Sequence, residues 1–119
     1  MIAAIRQVRR FIATQGARFV EIPSRSTPPP VAEQTPNRAG FYRQNANCRE
    51  YLVEASVFRS EACQGYNHIA VAAELAKRGL LTRGNENDHP NQKQRWIPGL
   101  GKVRGYQISS KFWTRTSDA

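Results

Sequence analysis

The sequence predicts a mixed α+β domain, and three features of its 119 residues carry that prediction. Apolar residues recur at intervals of three and four near the N-terminus, which is the period of a half-buried helix. Two further helical stretches flank Gly65, each preceded by a residue able to cap it. Two pairs of short extended runs surround turn-forming clusters, Asn45-Ala46-Asn47 and Pro98-Gly99-Leu100-Gly101.

Element by element, residues 2–14 set Ile5, Val8, Phe11 and Ile12 along one stripe, with Arg6, Gln7, Arg9 and Arg10 turned mostly away, and Gly16 follows as a C-cap. Residues 17–22 carry Phe19, Val20 and Ile22 and stop at Pro23, which reads as a short strand. Five of the chain's seven prolines lie between Pro23 and Pro36, so this stretch is an exposed loop or linker. Residues 39–44 and 50–55 form a predicted hairpin. Ser56 is positioned to cap a helix through Val57, Phe58, Glu61, Ala62 and Cys63, ended by Gly65. Asn67 caps a second helix over residues 68–78, ended by Gly79, with Ile69, Ala72, Ala73, Ala76 and Leu80 expected on its inner side and His68, Glu74, Lys77 and Arg78 towards solvent. A polar loop over residues 84–88 leads to extended runs at 92–97 and 103–109, a second hairpin.

Two helices joined by a tight Gly-containing turn form a helix-turn-helix unit. The order helix, helix-turn-helix, short strand, basic hairpin is that of a winged-helix domain. The expected fold is therefore α+β: a winged helix-turn-helix-like domain with an added N-terminal β-hairpin and a C-terminal β-hairpin wing. Residues 1–22 form its N-terminal helix and short strand, 23–37 a Pro-rich loop, 38–110 the winged-helix-like core and 111–119 a C-terminal tail, one domain overall.

Lys and Arg number 18 against 9 Asp and Glu, a formal net charge of +9 that predicts a polyanionic partner. From Pro90 to Ser117 there are Lys93, Arg95, Lys102, Arg104, Lys111 and Arg115 and no acidic residue. A hairpin of one charge sign cannot neutralise itself locally, and each phosphate it contacts releases condensed counterions. Trp96, Tyr106, Phe112 and Trp113 are interleaved with these cations. They either stack on unpaired bases or, as with a cross-strand Trp96–Tyr106 pair, belong to the core. Asn67 and His68 start the helix that would enter a groove, where base contacts are usual, and Lys77 and Arg78 end it. The expected partner is DNA, single- or double-stranded, held mainly through phosphates by His68, Lys77, Arg78, Lys93, Arg95, Trp96, Lys102 and Arg104.

Residues 37–41 (NRAGF), 50–65 (EYLVEASVFRSEACQG), 73–81 (AELAKRGLL) and 93–108 (KQRWIPGLGKVRGYQI) resemble the C-terminal region of a domain-of-unknown-function family of mobile-element helicase/primase-like ATPases. Residues 7–19 (QVRRFIATQGARF) are similar to the segment that joins motor and tail in that family. The Pro-rich stretch 27–35 and the loop 85–91 depart from its pattern. The resemblance implies an accessory domain of a prophage or integrative-element replication protein, whose ATPase/helicase portion lies outside this chain and is a further partner.

Other chemistry is weakly represented. Gly99-Leu100-Gly101-Lys102-Val103 lacks the first glycine and the hydroxyl of a phosphate loop. Cys48, Cys63, His68 and His89 lack the compact spacing of a zinc finger, and Cys63 reads as a small core residue. Glu50/Glu54 and Asp88/His89 come with no nucleophile or cofactor signature. No catalysis, cofactor or metal is expected of the chain. Without a spanning or secretory segment it reads as a cytoplasmic protein with reduced thiols and no membrane partner. The alternative is a protein–protein docking module for the ATPase motor or a replication partner, using Ile2, Ile5 and Phe11 of the first helix and the Pro-rich loop. A free-standing transcription regulator is disfavoured, because no dimerisation helix follows Ile108.

Overall fold

A computed structural model describes residues 2–22, 37–45, 48–82, 91–97, 101–109 and 111–112. Three helices lie with a six-stranded mixed sheet. In chain order the elements are α1 (Ile2–Thr14), β1 (Phe19–Glu21), β2 (Gly40–Asn45), β3 (Cys48–Glu54), α2 (Ala55–Val57, continuing as a π-helical turn over Phe58–Ala62), α3 (His68–Lys77), β4 (Leu81–Thr82), β5 (Lys93–Ile97) and β6 (Gly101–Ile108). No helix among the described residues is long and apolar enough to cross a membrane. The proline-rich stretch 23–36, the turn residues 46–47 and the loop over residues 84–88 are expectations that lie outside the described residues.

α1 buries Ala4, Ile5, Val8 and Ile12, the spacing that its sequence predicts. Phe11 sits at the edge of the stripe, its ring edge-on to Phe19 at 6.5 Å. Gly16 is not the C-cap expected of it. The left-handed glycines among the described residues are Gly65, Gly79 and Gly101, and the chain instead tightens into a 3-10 turn over Gly16–Arg18. Gln15 N–H bonds the Phe11 carbonyl at 2.9 Å, and Arg18 N–H the Gln15 carbonyl at 2.9 Å, so the chain leaves the helix through this turn without a glycine cap.

The sheet runs β1-β2-β3-β6, and β4 and β5 share the far edge of β6. β1 pairs parallel with β2 and every other pairing is antiparallel. Asn45 lies opposite Cys48, so two residues close the β2–β3 hairpin. Alternation along each strand divides the side chains between two faces. Phe19, Tyr51, Val53, Tyr106, Ile108 and Leu81 face the helices and join the main core. Phe41, Leu52 and Ile97 form a second buried cluster on the other face, flanked by Val20, Ile22 and Val103.

Ser56 does not cap α2. Glu54 holds the cap position with its carboxylate bound to Arg38 at 2.9 and 3.3 Å, and the helix starts directly off β3 at Ala55. Ser56 lies inside the first turn, where its carbonyl accepts from Ser60 Oγ at 2.7 Å. Cys63 N–H reaches the Phe58 carbonyl at 2.9 Å, the i to i+5 bond of a π turn. The widened turn brings Phe58, Ala62 and Cys63 into the core together, with Phe58 stacked on Tyr106 at 4.1 Å. Gln7 Nε2 donates to the Ala62 and Gln64 carbonyls at 3.1 and 2.7 Å, tying α1 to the end of that turn.

α3 is capped as its sequence predicts: Asn67 Oδ1 accepts from Ile69 N–H at 3.0 Å and Ala70 N–H at 3.2 Å. Its end is a Schellman motif, with Leu80 N–H on the Leu75 carbonyl, Gly79 N–H on the Ala76 carbonyl, and Leu75 and Leu80 both in the core. The buried stripe differs from expectation. Val71, Ala72 and Leu75 face inward while Ile69 is 65% exposed and Ala73 is exposed. Turning the helix this way buries two large side chains four residues apart, at the expense of one isoleucine. The core also reaches beyond residues 38–110: Ala4, Ile5, Val8 and Ile12 of α1 and Phe112 of the expected tail pack into the same cluster.

Candidate nucleic-acid interface

The β5–β6 hairpin is the most cationic pair of strands, and its register decides where each charge points. Trp96 lies opposite Lys102 and Gln94 opposite Arg104, on the helix-bearing side of the sheet; Lys93 pairs with Gly105 and Arg95 with Val103 on the other. The expected grip of Arg95, Lys102 and Arg104 on one backbone is therefore divided between two faces. Lys102 is exposed and Arg104 half-exposed beside it, along the same strand face.

Arg95 is half-buried, with Nη1 donating to Gln107 Oε1 at 2.9 Å. Burial lowers its pKa, the charge of Arg43 on the same face lowers it further, and Glu50 partly opposes both. Gln107 is itself only 3% exposed, so this bond satisfies a polar group that water does not reach. Arg95 is thus a structural cation of the second face, and Lys93 accompanies it there.

Trp96 is 69% exposed, a conspicuous position for the largest apolar side chain. It is not the cross-strand partner of Tyr106. Tyr106 lies opposite Val53, is buried against Phe58, and its hydroxyl accepts from Gln92 Nε2 at 3.2 Å. Phe112 is also fully buried, which removes both rings from the set offered for base stacking. Trp113, Arg115 and residues 98–100 lie outside the described residues.

On α3 the expected base-reading end is otherwise engaged. Asn67 spends its side-chain oxygen on the cap, and His68 is half-buried in the first turn. Lys77 is exposed. Arg78 Nε bonds Glu74 Oε2 at 2.8 Å, an i, i+4 pair that holds the Glu74 carboxyl below its usual range and spends part of the Arg78 charge. The outward face of α3 is instead apolar: Ile69, Ala70 and Ala73 are exposed, and Tyr66 ahead of the helix is 43% exposed.

Sequence reasoning passed over two features of this region. Gln94 shares the strand parity of Trp96, a two-residue step that identifies it as a neighbour on the same face. The apolar outer face of α3 was hidden by the wrong helical phase. Two further ion pairs, Arg18–Glu61 and Arg38–Glu54, involve no residue of the hairpin itself. Among the described residues no three His, Cys, Asp or Glu side chains come together as metal ligands. Cys63 sits fully in the core, and burial pushes its thiol up to about 12. His89 and the Cys48 side chain lie outside the described residues. Glu54 of the Glu50/Glu54 pair is bound to Arg38. No family model, curated protein or solved structure matches the chain.

Proposed function

We propose that this chain is a non-catalytic nucleic-acid-binding domain of winged-helix type, an accessory part of a mobile-element helicase/primase-like replication protein. The observation that carries the reading is one wing face on which Lys102 and Arg104 accompany an exposed Trp96, in a hairpin without any acidic residue. The sheet order supports the winged-helix part: β6 lies between β3, the strand ahead of the helix-turn-helix, and β5, its hairpin mate. Polyanion binding follows from electrostatics. Lys102 and Arg104 replace condensed counterions on phosphates, whereas α3 offers few polar groups for reading base edges. Lys77, exposed at the end of α3, is a further cation open to solvent.

Fluorescence anisotropy with a labelled duplex across a salt series tests this. Affinity falls steeply as salt rises, and Lys102→Ala with Arg104→Ala reduces the log–log slope by about 1.8, or about 0.9 per lost phosphate contact. Lys93→Ala, on the other face, leaves the slope unchanged. Absence of binding in dilute salt, or equal flattening by Lys93→Ala, would contradict the assignment.

A second reading is favoured by a different observation. The exposed Ile69, Tyr66, Ala70 and Ala73 suit a protein contact better than a DNA groove. These residues favour α3 for the docking alternative over α1, where Ile2 is 43% exposed but Ile5 is buried and Phe11 half-buried.

A further inference from the structure

We propose that Trp96 is a stacking platform for one unpaired base, so that the wing takes single-stranded nucleic acid, or the open end of a duplex, in preference to intact duplex. The inference rests on the nucleic-acid reading of the same face and names the form of ligand that face selects.

The geometry is that of an aromatic plane beside a cation. Trp96 faces Lys102 across the hairpin, Gln94 precedes it on the same strand face, and Arg104 follows Lys102 two residues on. The indole reaches Gly101: a Cβ there would lie 3.9 Å from its Cζ3, the one contact it would make among the described residues. Gly101 has φ +94, a conformation that favours glycine, so the chain presents no side chain there beside the ring.

Only an unpaired base can use such a ring. In intact duplex each base is already stacked on both sides, and inserting an indole requires unstacking a step first. An unpaired base offers its π-face without that cost, while Lys102 meets a neighbouring phosphate. A lipid surface fits less well, because the residues sharing the face with Trp96 are Gln94, Lys102 and Arg104, and a single indole supplies little apolar area for insertion. Stacking is tolerant of base identity, consistent with a site whose side chains carry few groups able to read one.

The test compares a labelled single strand, its blunt duplex and the same duplex with a single-stranded overhang, using the full chain at low salt. Wild type favours the single strand and the overhang. Trp96→Ala weakens binding to these two by about 5- to 150-fold, and leaves blunt-duplex affinity within about twofold. Trp96→Phe, which keeps a smaller ring, retains part of the preference. In a Trp113→Phe background, where Trp96 is the remaining tryptophan, the single strand quenches its fluorescence and blunt duplex does not. An unaltered melting temperature shows that Trp96→Ala leaves the fold intact. Salt-dependent binding with the same single-strand to duplex ratio in wild type and Trp96→Ala overturns this inference alone. Failure of wild type to bind any of the three probes overturns the nucleic-acid reading and this inference together. Loss of binding to anionic phosphatidylserine vesicles on Trp96→Ala, with the oligonucleotide ratio unmoved, assigns the ring to a membrane instead and also overturns it.

Discussion

Gly105 is the residue of β6 that is paired with both β3 and β5, opposite Glu54 on one side and Lys93 on the other. It therefore links the β5–β6 hairpin to β3, and replacing it with alanine tests that joint. A Cβ there collides with the Val53 carbonyl oxygen, lies 2.9 Å from the Val53 carbonyl carbon and 3.2 Å from Glu54 Cα. All three are backbone atoms of the neighbouring strand, so no rotamer change relieves the contact and the strands must part. Gly105 is not among the positive-φ residues, so the cost is steric overlap rather than backbone strain. Overpacking of this kind costs about 1–3 kcal/mol, offset by about 0.4–1 kcal/mol from the stiffer unfolded chain. At about 4 °C per kcal/mol for a domain of this size, Gly105→Ala should melt below wild type by up to about 10 °C. Gly16→Ala is the matched control. No atom lies within 4 Å of its would-be Cβ and its φ is not left-handed, so the same change there should raise the melting point by about 2–4 °C. Melting followed by circular dichroism separates the two. Gly105→Ala melting at or above wild type would refute both the β3–β6 register and the close approach inferred from it.

Two further outcomes are expected. Burial that pushes the Cys63 thiol up to about 12 favours its neutral form in the folded chain, so its contribution to stability is complete below the unfolded thiol pKa and is lost as pH rises towards 12. With an unfolded value of about 8.5, the loss at about pH 10 is about 2 kcal/mol. Urea unfolding at neutral and alkaline pH should show this slope in wild type and a shallower one in Cys63→Ala; identical slopes would remove Cys63 as the cause. If α3 is a docking surface, Ile69→Ser should abolish retention of the ATPase portion of the proposed parent protein after nuclease treatment. The same change should leave oligonucleotide binding intact and alter stability by less than about 0.5 kcal/mol, as at other exposed sites. Undiminished retention by Ile69→Ser counts against that surface.

Much of the fold is legible in local rules. The α1 stripe, the Asn67 cap, the Gly65 and Gly79 terminations and both hairpins each depend on a few adjacent residues, and each appears within one or two positions of expectation. What was not legible depends on partners distant in sequence. The phase of α3 is decided by whether Val71 and Leu75, or Ile69 and Ala73, meet the core, and the three-to-four spacing permits both. Ser56 is a good cap in isolation, but the Arg38–Glu54 pair and the sharp exit from β3 start the helix two residues earlier than a Ser56 cap requires. The π turn over Phe58–Ala62, with its i to i+5 bond from Cys63 to Phe58, is announced by no residue type. For the site, counting cations along 90–117 found the hairpin but not its sides. Strand parity separates Arg95 from Lys102 and Arg104, and the buried Gln107 that claims Arg95 lies twelve residues away.

That separation changes what the net charge of +9 implies. Arg18, Arg38 and Arg78 are committed to carboxylates, and Arg95 to a buried amide, so these four cations hold the fold as much as they attract a partner. On the proposed reading, a phosphate backbone would be met by fewer charges than composition suggests, which makes the expected affinity modest and strongly dependent on salt. With α3 offering methyl groups in place of hydrogen-bonding side chains, discrimination between base sequences has little to act on. What remains able to discriminate is the exposed indole, since stacking separates paired from unpaired bases without regard to sequence. On the proposed nucleic-acid reading, selectivity would be for the strandedness of the ligand, and a search for a preferred sequence would measure the wrong variable.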